Sequence, residues 1–323
     1  MQTLRLILTD KFIWLLSGAV LLATLVPVQG SAKDIAGILF NAGIFAVFLL
    51  HGIRLEREEV KAGLGNIRLQ GTIFIWVFGV MLIVGLLLSK FLVQRLPADV
   101  ALGFLFLAVL PTTVQSATSY CAIARGNVAA SVVASALINL VGVFLSPLLF
   151  ALLAQAAGVQ ITSETIIKLA GILVLPFVLG QVFQNWLRPW VMRHKDLTGW
   201  IDRGAIALAV YVSFSAAIIA GMWSRVSGTE FVWLAAALLL WLGLAFGGTW
   251  LLGSWMGFVR ADRKTLLFSG AQKSVAIGAP LAAIIFVPER AGLVILPLIF
   301  YHLAQLFLSA PIAVRLAGDK MSD

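Results

Sequence analysis

Apolar runs too long for any soluble fold set the terms for this chain. No charged side chain occurs between Phe231 and Val259, nor between Gly126 and Ser163. An α-helix needs about 20 apolar residues to cross a hydrocarbon core, whereas a tilted membrane strand needs only about 9–11. Runs of this length therefore predict membrane helices. Composition agrees: 61% of the residues are hydrophobic and 11% charged, against roughly 25% charged in a soluble domain. The first apolar segment follows Arg5 and Lys11 in the manner of a signal peptide. It lacks a clear small-x-small cleavage pattern and another apolar run follows at once, so it reads as a retained span. Cys121, the one cysteine, has no disulfide partner and no metal-ligand spacing around it, and reads as a small packed hydrophobe.

Dividing the sequence at charge clusters and at Pro or Gly predicts ten spans, near 12–28, 35–52, 72–93, 99–122, 128–153, 165–187, 203–222, 230–258, 265–287 and 291–314. Basic residues test this count, because positively charged loops stay preferentially cytoplasmic. Sixteen fall on one side, among them Arg54, Arg57, Lys61 and Arg68, then Arg188, Arg193, Lys195 and Arg203, then Arg260, Arg263 and Lys264. Six fall on the other, namely Lys33, Lys90, Arg95, Lys168, Arg225 and Arg290, and Lys273 is the remaining one of 23. The split predicts a multi-pass protein of the inner (cytoplasmic) membrane with both termini cytoplasmic. It also explains the net charge of +9 without nucleic acid, since the basic residues are spread over loops with no aromatic-interleaved patch. Contact with the headgroups of membrane lipids follows from the same placement.

Two predicted spans carry polar clusters where hydrocarbon should be. The fourth contains Leu110-Pro111-Thr112-Thr113-Val114-Gln115-Ser116-Ala117-Thr118-Ser119, and the ninth contains Gly270-Ala271-Gln272-Lys273-Ser274-Val275-Ala276-Ile277-Gly278-Ala279-Pro280. Corners follow them at Ala124-Arg125-Gly126-Asn127 and Val287-Pro288-Glu289-Arg290. A helix broken at membrane depth frees N–H and C=O groups that lipid cannot satisfy, but that protein, an ion or a substrate can. With five spans per half and the broken helix fourth in each, the pattern predicts an all-α protein of ten transmembrane helices in two inverted five-helix repeats. Those repeats cover residues 1–157 and 158–323, with helices four and nine crossing at a midplane site as in secondary transporters. Gly243-x-x-x-Gly247 and Gly253-x-x-x-Gly257 predict close helix packing.

Lys273 is the sharpest chemical feature, since no aspartate or glutamate lies deep in any predicted span. A buried ammonium must give up its proton, face water, or meet an anion and carbonyl dipoles. The candidate substrate- or ion-binding residues around it are Thr112, Thr113, Gln115, Ser116 and Thr118 in the fourth span and Gln272 and Ser274 in the ninth. Ser131, Ser135 and Asn139 in the fifth follow at i, i+4 and i+8, on one helical face. His302 and Gln305 lie beside Tyr301 in the tenth, and His302 is a candidate proton carrier.

On Pro111-Thr112-Thr113-Val114-Gln115-Ser116, Ile123-Ala124-Arg125-Gly126-Asn127-Val128-Ala129 and Gln272-Lys273-Ser274-Val275-Ala276-Ile277-Gly278, the chain resembles the bile acid:sodium symporter superfamily. Within it, the likeness is to the branch related to vertebrate solute carrier family 10 member 7, over nearly the whole length. The resemblance implies a panel domain from spans one, two, six and seven and a core domain from spans three to five and eight to ten. In sodium-coupled members one sodium site uses a serine-asparagine pair in span four, two hydroxyls in span five and a glutamate in span nine. By resemblance, the pair falls on Ala117 and Thr118, the hydroxyls on Ser131 and Ser135, and the glutamate on Phe268. The glutamine that follows matches Gln272, and the asparagine after it becomes Lys273. What is left for a weak sodium site is Thr118, Ser131, Ser135 and Gln272. Sodium needs hard oxygen ligands, so these departures favour H+ over Na+ as the coupling ion.

The expected function is secondary active transport, a symport of a small organic anion coupled to a cation, with no cofactor and no catalytic residue. Lys273 and the N-terminal dipoles of broken half-helices both favour negative charge. A channel or regulatory protein on the same fold is the alternative. A membrane-embedded lipid-modifying enzyme has less behind it: there is no deep carboxylate pair, no His-Glu-x-x-His spacing and no Walker or dinucleotide motif.

Overall fold

The computed structural model describes residues 11–55, 66–156, 170–221 and 226–318. Every regular element among them is helical. α1 is Lys11–Leu25, α2 Ser31–Arg54, α3 Ile67–Ile75 and α4 Met81–Leu92, with a π-helical turn, Trp76–Val80, joining α3 to α4. α5 (Ala98–Val109), α6 (Gln115–Ile123) and α7 (Val128–Ala156) follow. A second π-helical turn, Ala170–Val174, leads into α8 (Leu175–Val182), then α9 (Gln184–Arg193) and α10 (Lys195–Ile219). The last four helices are α11 (Gly228–Trp255), α12 (Arg260–Ala271), α13 (Val275–Ile285) and α14 (Pro288–Gly318).

Helix ends follow local chemistry. Asn66 caps α3 by accepting from the Leu69 amide at 3.3 Å, and Ser227 and Glu230 form a reciprocal capping box on α11. Pro288 opens α14 at a position where a missing N–H costs nothing. α6 ends in a left-handed residue, where the Gly126 amide bonds the Cys121 carbonyl at 2.8 Å and the Arg125 amide bonds Ala122 at 3.0 Å. The residue with positive φ, +58°, is Arg125 rather than a glycine. Gly126 follows it, and a Cβ there would lie 2.6 Å from the Cys121 sulfur. The corner is docked onto α12 through Asn127, whose amide nitrogen donates to Asp262 at 2.8 Å and whose carbonyl accepts from Thr265 at 2.9 Å.

The number of spans corrects the sequence-based expectation. Seven helices among the described residues are long and apolar enough to cross a membrane: Ser31–Arg54, Ile67–Leu92, Val128–Ala154, Lys195–Ile219, Gly228–Trp255, Arg260–Ile285 and Pro288–Gly318. The predicted first, fourth and sixth spans become the shorter apolar helices Trp14–Leu25, Ala98–Val109 and Gly171–Val182. In the fourth, the interruption at Pro111 leaves pieces of 12 and 9 residues, too short at 1.5 Å per residue to span alone. Among the described residues the fold is therefore an all-α membrane protein with seven long spans, not ten spans in two inverted five-helix repeats. Opposed halves require five spans in each, which the seven long spans among the described residues do not supply. Residues 157 and 158, the predicted boundary between halves, lie outside the described residues. So do both chain ends and Arg5, Arg57, Lys61, Lys168, Arg225 and Lys320 of the basic split.

Packing gathers the helices into two groups. α2 lies against α8, α9 and α10, and α1 lies on α10. In the second group α5 packs on α4, α7 and α14, while α12 packs on α3, α6, α7 and α11. α10 joins the groups by packing on α13 and α14. Large apolar side chains such as Ile38, Leu87, Leu152, Val232 and Leu251 are exposed on the outer faces of the long helices, as contact with lipid requires. Most of the buried polar side chains lie inside the second group, with Gln184, Thr198, Ser213 and Ser215 in the first.

Candidate functional site

The first interruption, between Val109 and Gln115, begins with a proline. Pro111 has no amide to donate to Leu107 and forces Leu110 out of helical geometry, to φ −76° and ψ 145°. The Leu107 carbonyl is taken instead by the Leu110 amide at 3.3 Å. Five successive carbonyls, from residue 108 to residue 112, then point away from any continuing helix, and each finds a donor on another segment. The Lys273 ammonium bonds Ala108 at 3.0 Å and Leu110 at 2.8 Å. Ser146 bonds Val109 at 2.7 Å, the Ser274 amide bonds Pro111 at 2.9 Å, and the Asn139 amide bonds Thr112 at 2.9 Å. This is how irregular backbone survives at membrane depth: protein replaces the water that lipid lacks.

The second interruption, Gln272 to Ser274, contains no proline. Gln272 and Ser274 are extended, with ψ 152° and 111°, and Ser274 restarts the helix by accepting from the Ile277 amide at 3.3 Å. α14 holds the strand-like residues in place. Gln305 accepts from the Lys273 amide at 2.8 Å and donates to the Lys273 carbonyl at 3.1 Å, while Tyr301 donates to the Ala271 carbonyl at 2.7 Å. The second Gln305 N–H meets His302 Nδ1 at 2.8 Å. The His302 ring is buried and lies edge-on to Phe12, with centroids 5.8 Å apart. The two interruptions touch closely enough that a Cβ on Gly278 would fall 2.6 Å from the Leu110 side chain.

Lys273 is 1% exposed. Besides Ala108 and Leu110, its ammonium reaches the carbonyl of Val77 at 3.4 Å, within the π-helical turn between α3 and α4. Its receivers are thus backbone dipoles. Gln272 links the same junction through its side chain: Thr113 and Ser116 both donate to its amide oxygen, and its nitrogen lies 3.4 Å from the Ser309 hydroxyl.

The residues of the weak sodium site have varied surroundings. Ser131 pairs with Ser269 at 3.2 Å, and the Gln272 oxygen is already shared by Thr113 and Ser116. The hydroxyls of Thr118, Ser135 and Thr112 are buried without a hydrogen-bond partner among the described residues. Where the resemblance places a glutamate, Phe268 is fully buried, with its ring 6.1 Å from that of Tyr120. Among the described residues no group of three or more His, Cys, Asp or Glu forms a metal-binding cluster.

Gln115 is exposed, and so is Ser119 one helical turn later. α6 packs on α7, α12 and α14, so this polar face is turned away from all three. Ser119 sat in the polar run but was not among the predicted site residues, although its i+4 spacing from Gln115 was a usable signal. Ser146, Ser269, Ser309 and the Val77 carbonyl were also missed. Ser309 follows Tyr301 and Gln305 at i+8 and i+4 on one face of α14, a usable signal of the same kind, whereas nothing local marks the Val77 carbonyl.

Comparison with known proteins comes to the same kind of molecule. The sequence profile of the SBF-like CPA transporter family matches residues 10–318. Protein PA2026 of Pseudomonas aeruginosa is 38% identical over 311 residues, which is 96% of this chain and 93% of that protein. YfeH of Escherichia coli, named as a candidate symporter, is 34% identical over 306 residues, 95% of this chain and 92% of its own. Sodium/bile acid cotransporter 7 of Rattus norvegicus is 25% identical over 305 residues, 91% and 87% of the two chains.

Proposed function

The chain belongs to the SBF-like CPA transporter family, and from that premise we propose that it is a secondary transporter moving a small organic anion across the cytoplasmic membrane, with both termini on the cytoplasmic side. One observation carries the reading. An ammonium with no carboxylate partner among the described residues is buried in the junction that also bears the exposed face of Gln115 and Ser119. The junction lies halfway along Arg260–Ile285, at a depth where an exposed amide and hydroxyl cannot face hydrocarbon. That face borders water, and the charge buried in the same junction is positive. The amides opening α6 and α13 add the positive end of two helix dipoles.

The two packing groups supply the moving parts: α1, α2 and α8 to α10 rock as a panel against a core of α3 to α7 and α11 to α14. A proton is the coupling ion favoured by the residues. Phe268 offers no oxygen, and the Gln272 oxygen is engaged by Thr113 and Ser116. The 25% identity with sodium/bile acid cotransporter 7 supports placing the chain near that branch. The test is uptake of a panel of anionic metabolites into proteoliposomes under an imposed proton gradient, a sodium gradient, or neither. Accumulation of at least one anion that depends on the proton gradient is the expected result. Steep, sodium-selective accumulation would refute the coupling, and uptake confined to cations or neutral solutes would refute the anion.

A further inference from the structure

Val77 belongs to one departure from regular α-helix and Ala108 and Leu110 to another, yet their carbonyl oxygens converge on a single point. That point is Nζ of Lys273, at 3.4, 3.0 and 2.8 Å. The π-helical turn brings in the first, and the Pro111 break frees the other two. An ammonium has three donors, and all are used. Carbonyl dipoles gathered around one buried positive charge are the construction by which channel filters replace the hydration shell of a monovalent cation. The two shorter distances, 2.8 and 3.0 Å, exceed the roughly 2.3–2.6 Å at which oxygens hold calcium, and they suit an ion of ammonium size.

We propose that the carbonyls of Val77, Ala108 and Leu110 form a monovalent-cation site which this chain keeps filled with its own side chain, and which accepts a free primary alkylammonium when the lysine is cut back. The site is a property of the junction and does not depend on the solute being an anion. Three elements that are separate in sequence, the α3–α4 turn, the end of α5 and the α12–α13 break, are then pinned by one group that is covalently part of the chain.

Lys273→Ala removes Cγ, Cδ, Cε and Nζ, the outline of n-propylammonium. The full-length variant in nanodiscs is unfolded thermally in n-propylammonium, potassium, sodium or choline chloride at matched ionic strength. It is expected to melt below the parent protein and to regain on the order of 5 °C, saturably, in n-propylammonium. Potassium should restore less, sodium less again and choline nothing. The parent protein and Lys273→Met, whose apolar stem fills the space, should not respond. A variant as stable as the parent, or one indifferent to all four salts, or one that responds equally to n-propylammonium and choline, overturns the proposal. Lys273→Gln gives a second route, because it offers N–H donors without charge. If it melts with the parent protein, the carbonyls need only donors and the cation site is refuted. If it melts lower, as Lys273→Met should, neutral donors do not replace the charge and the site stands. Because the readout is stability, a failed uptake screen would leave these outcomes unchanged.

Discussion

The two interruptions of this molecule are opposites that fit together. The one from Leu110 to Val114 is long, contains Pro111 and, with the end of α5, is a source of acceptors, the five carbonyls from residue 108 to residue 112 all bonded from outside. The one from Gln272 to Ser274 is short, lacks a proline and supplies donors to the first: the Lys273 ammonium and the Ser274 amide. Neither would be stable in lipid alone, because each unsatisfied backbone group there costs several kcal/mol. A membrane-depth lysine, which looks like an electrostatic liability in the sequence, is therefore better understood through the opposite break. The charge is where the free carbonyls are.

The largest expected effect comes from cutting the strongest link between the breaks. Lys273→Met keeps the stem and leaves the carbonyls of Ala108, Leu110 and Val77 without their donor, at a cost of about 2–5 kcal/mol summed over the three. Reversible unfolding in mixed micelles measures it, and uptake in proteoliposomes should be lost as well. A variant with the parent's stability and normal uptake would mean that the carbonyls are satisfied some other way and that the donor–acceptor contrast between the breaks is wrong.

A pair of smaller changes sharpens the same contrast by touching one break at a time. Ser146→Ala removes the donor to Val109 in the first break, and Tyr301→Phe removes the donor to Ala271 in the second. Each side chain is fully buried, and each change should cost about 0.6–1.7 kcal/mol. The sites lie on different helices with no shared partner, so the double variant should show the sum to within about 0.5 kcal/mol. A strongly non-additive double variant would show that the breaks form one cooperative unit rather than two satisfied independently.

How far the sequence foretells this arrangement depends on the range of the physics involved. Pro111 announces the first interruption by itself, since a missing N–H and a clash with the preceding turn are local facts. Gln272 to Ser274 is marked only by polarity. Its extended backbone is maintained by Gln305 and Tyr301 on α14, a tertiary influence that no window around residue 272 contains. The span count failed for a related reason. Apolar content identified α1, α5 and the run ending in α8 as lipid-compatible, but not how many residues each would keep in one continuous helix. The π-helical turn at Trp76–Val80 lies in an unbroken apolar run and leaves no polar signature. The Val77 contribution to the lysine cage was invisible for that reason. Phe268 was legible as a departure from the sodium-coupled pattern. The pairing of Ser131 with Ser269, across 138 positions of sequence, was not.

The smallest effect on stability, and a separate effect on function, is expected at the face of α6 that neither break uses. Gln115 and Ser119 are exposed, and among the described residues no hydrogen bond of the junction runs through their side chains. Gln115→Ala and Ser119→Ala should therefore leave unfolding within about 0.5 kcal/mol of the parent protein. Ser116, one residue from Gln115 but bonded to Gln272, serves as the internal contrast, since Ser116→Ala should lower stability measurably. If Gln115 and Ser119 border the aqueous path, each contributes a hydrogen bond to a charged solute, and its loss raises KM roughly tenfold while kcat changes less. The comparison can break in two ways. Lowered stability in Gln115→Ala would mean that the face is packed against protein and is no cleft. Unchanged stability together with unchanged KM would mean that the solute passes elsewhere, and the junction would then be architecture alone.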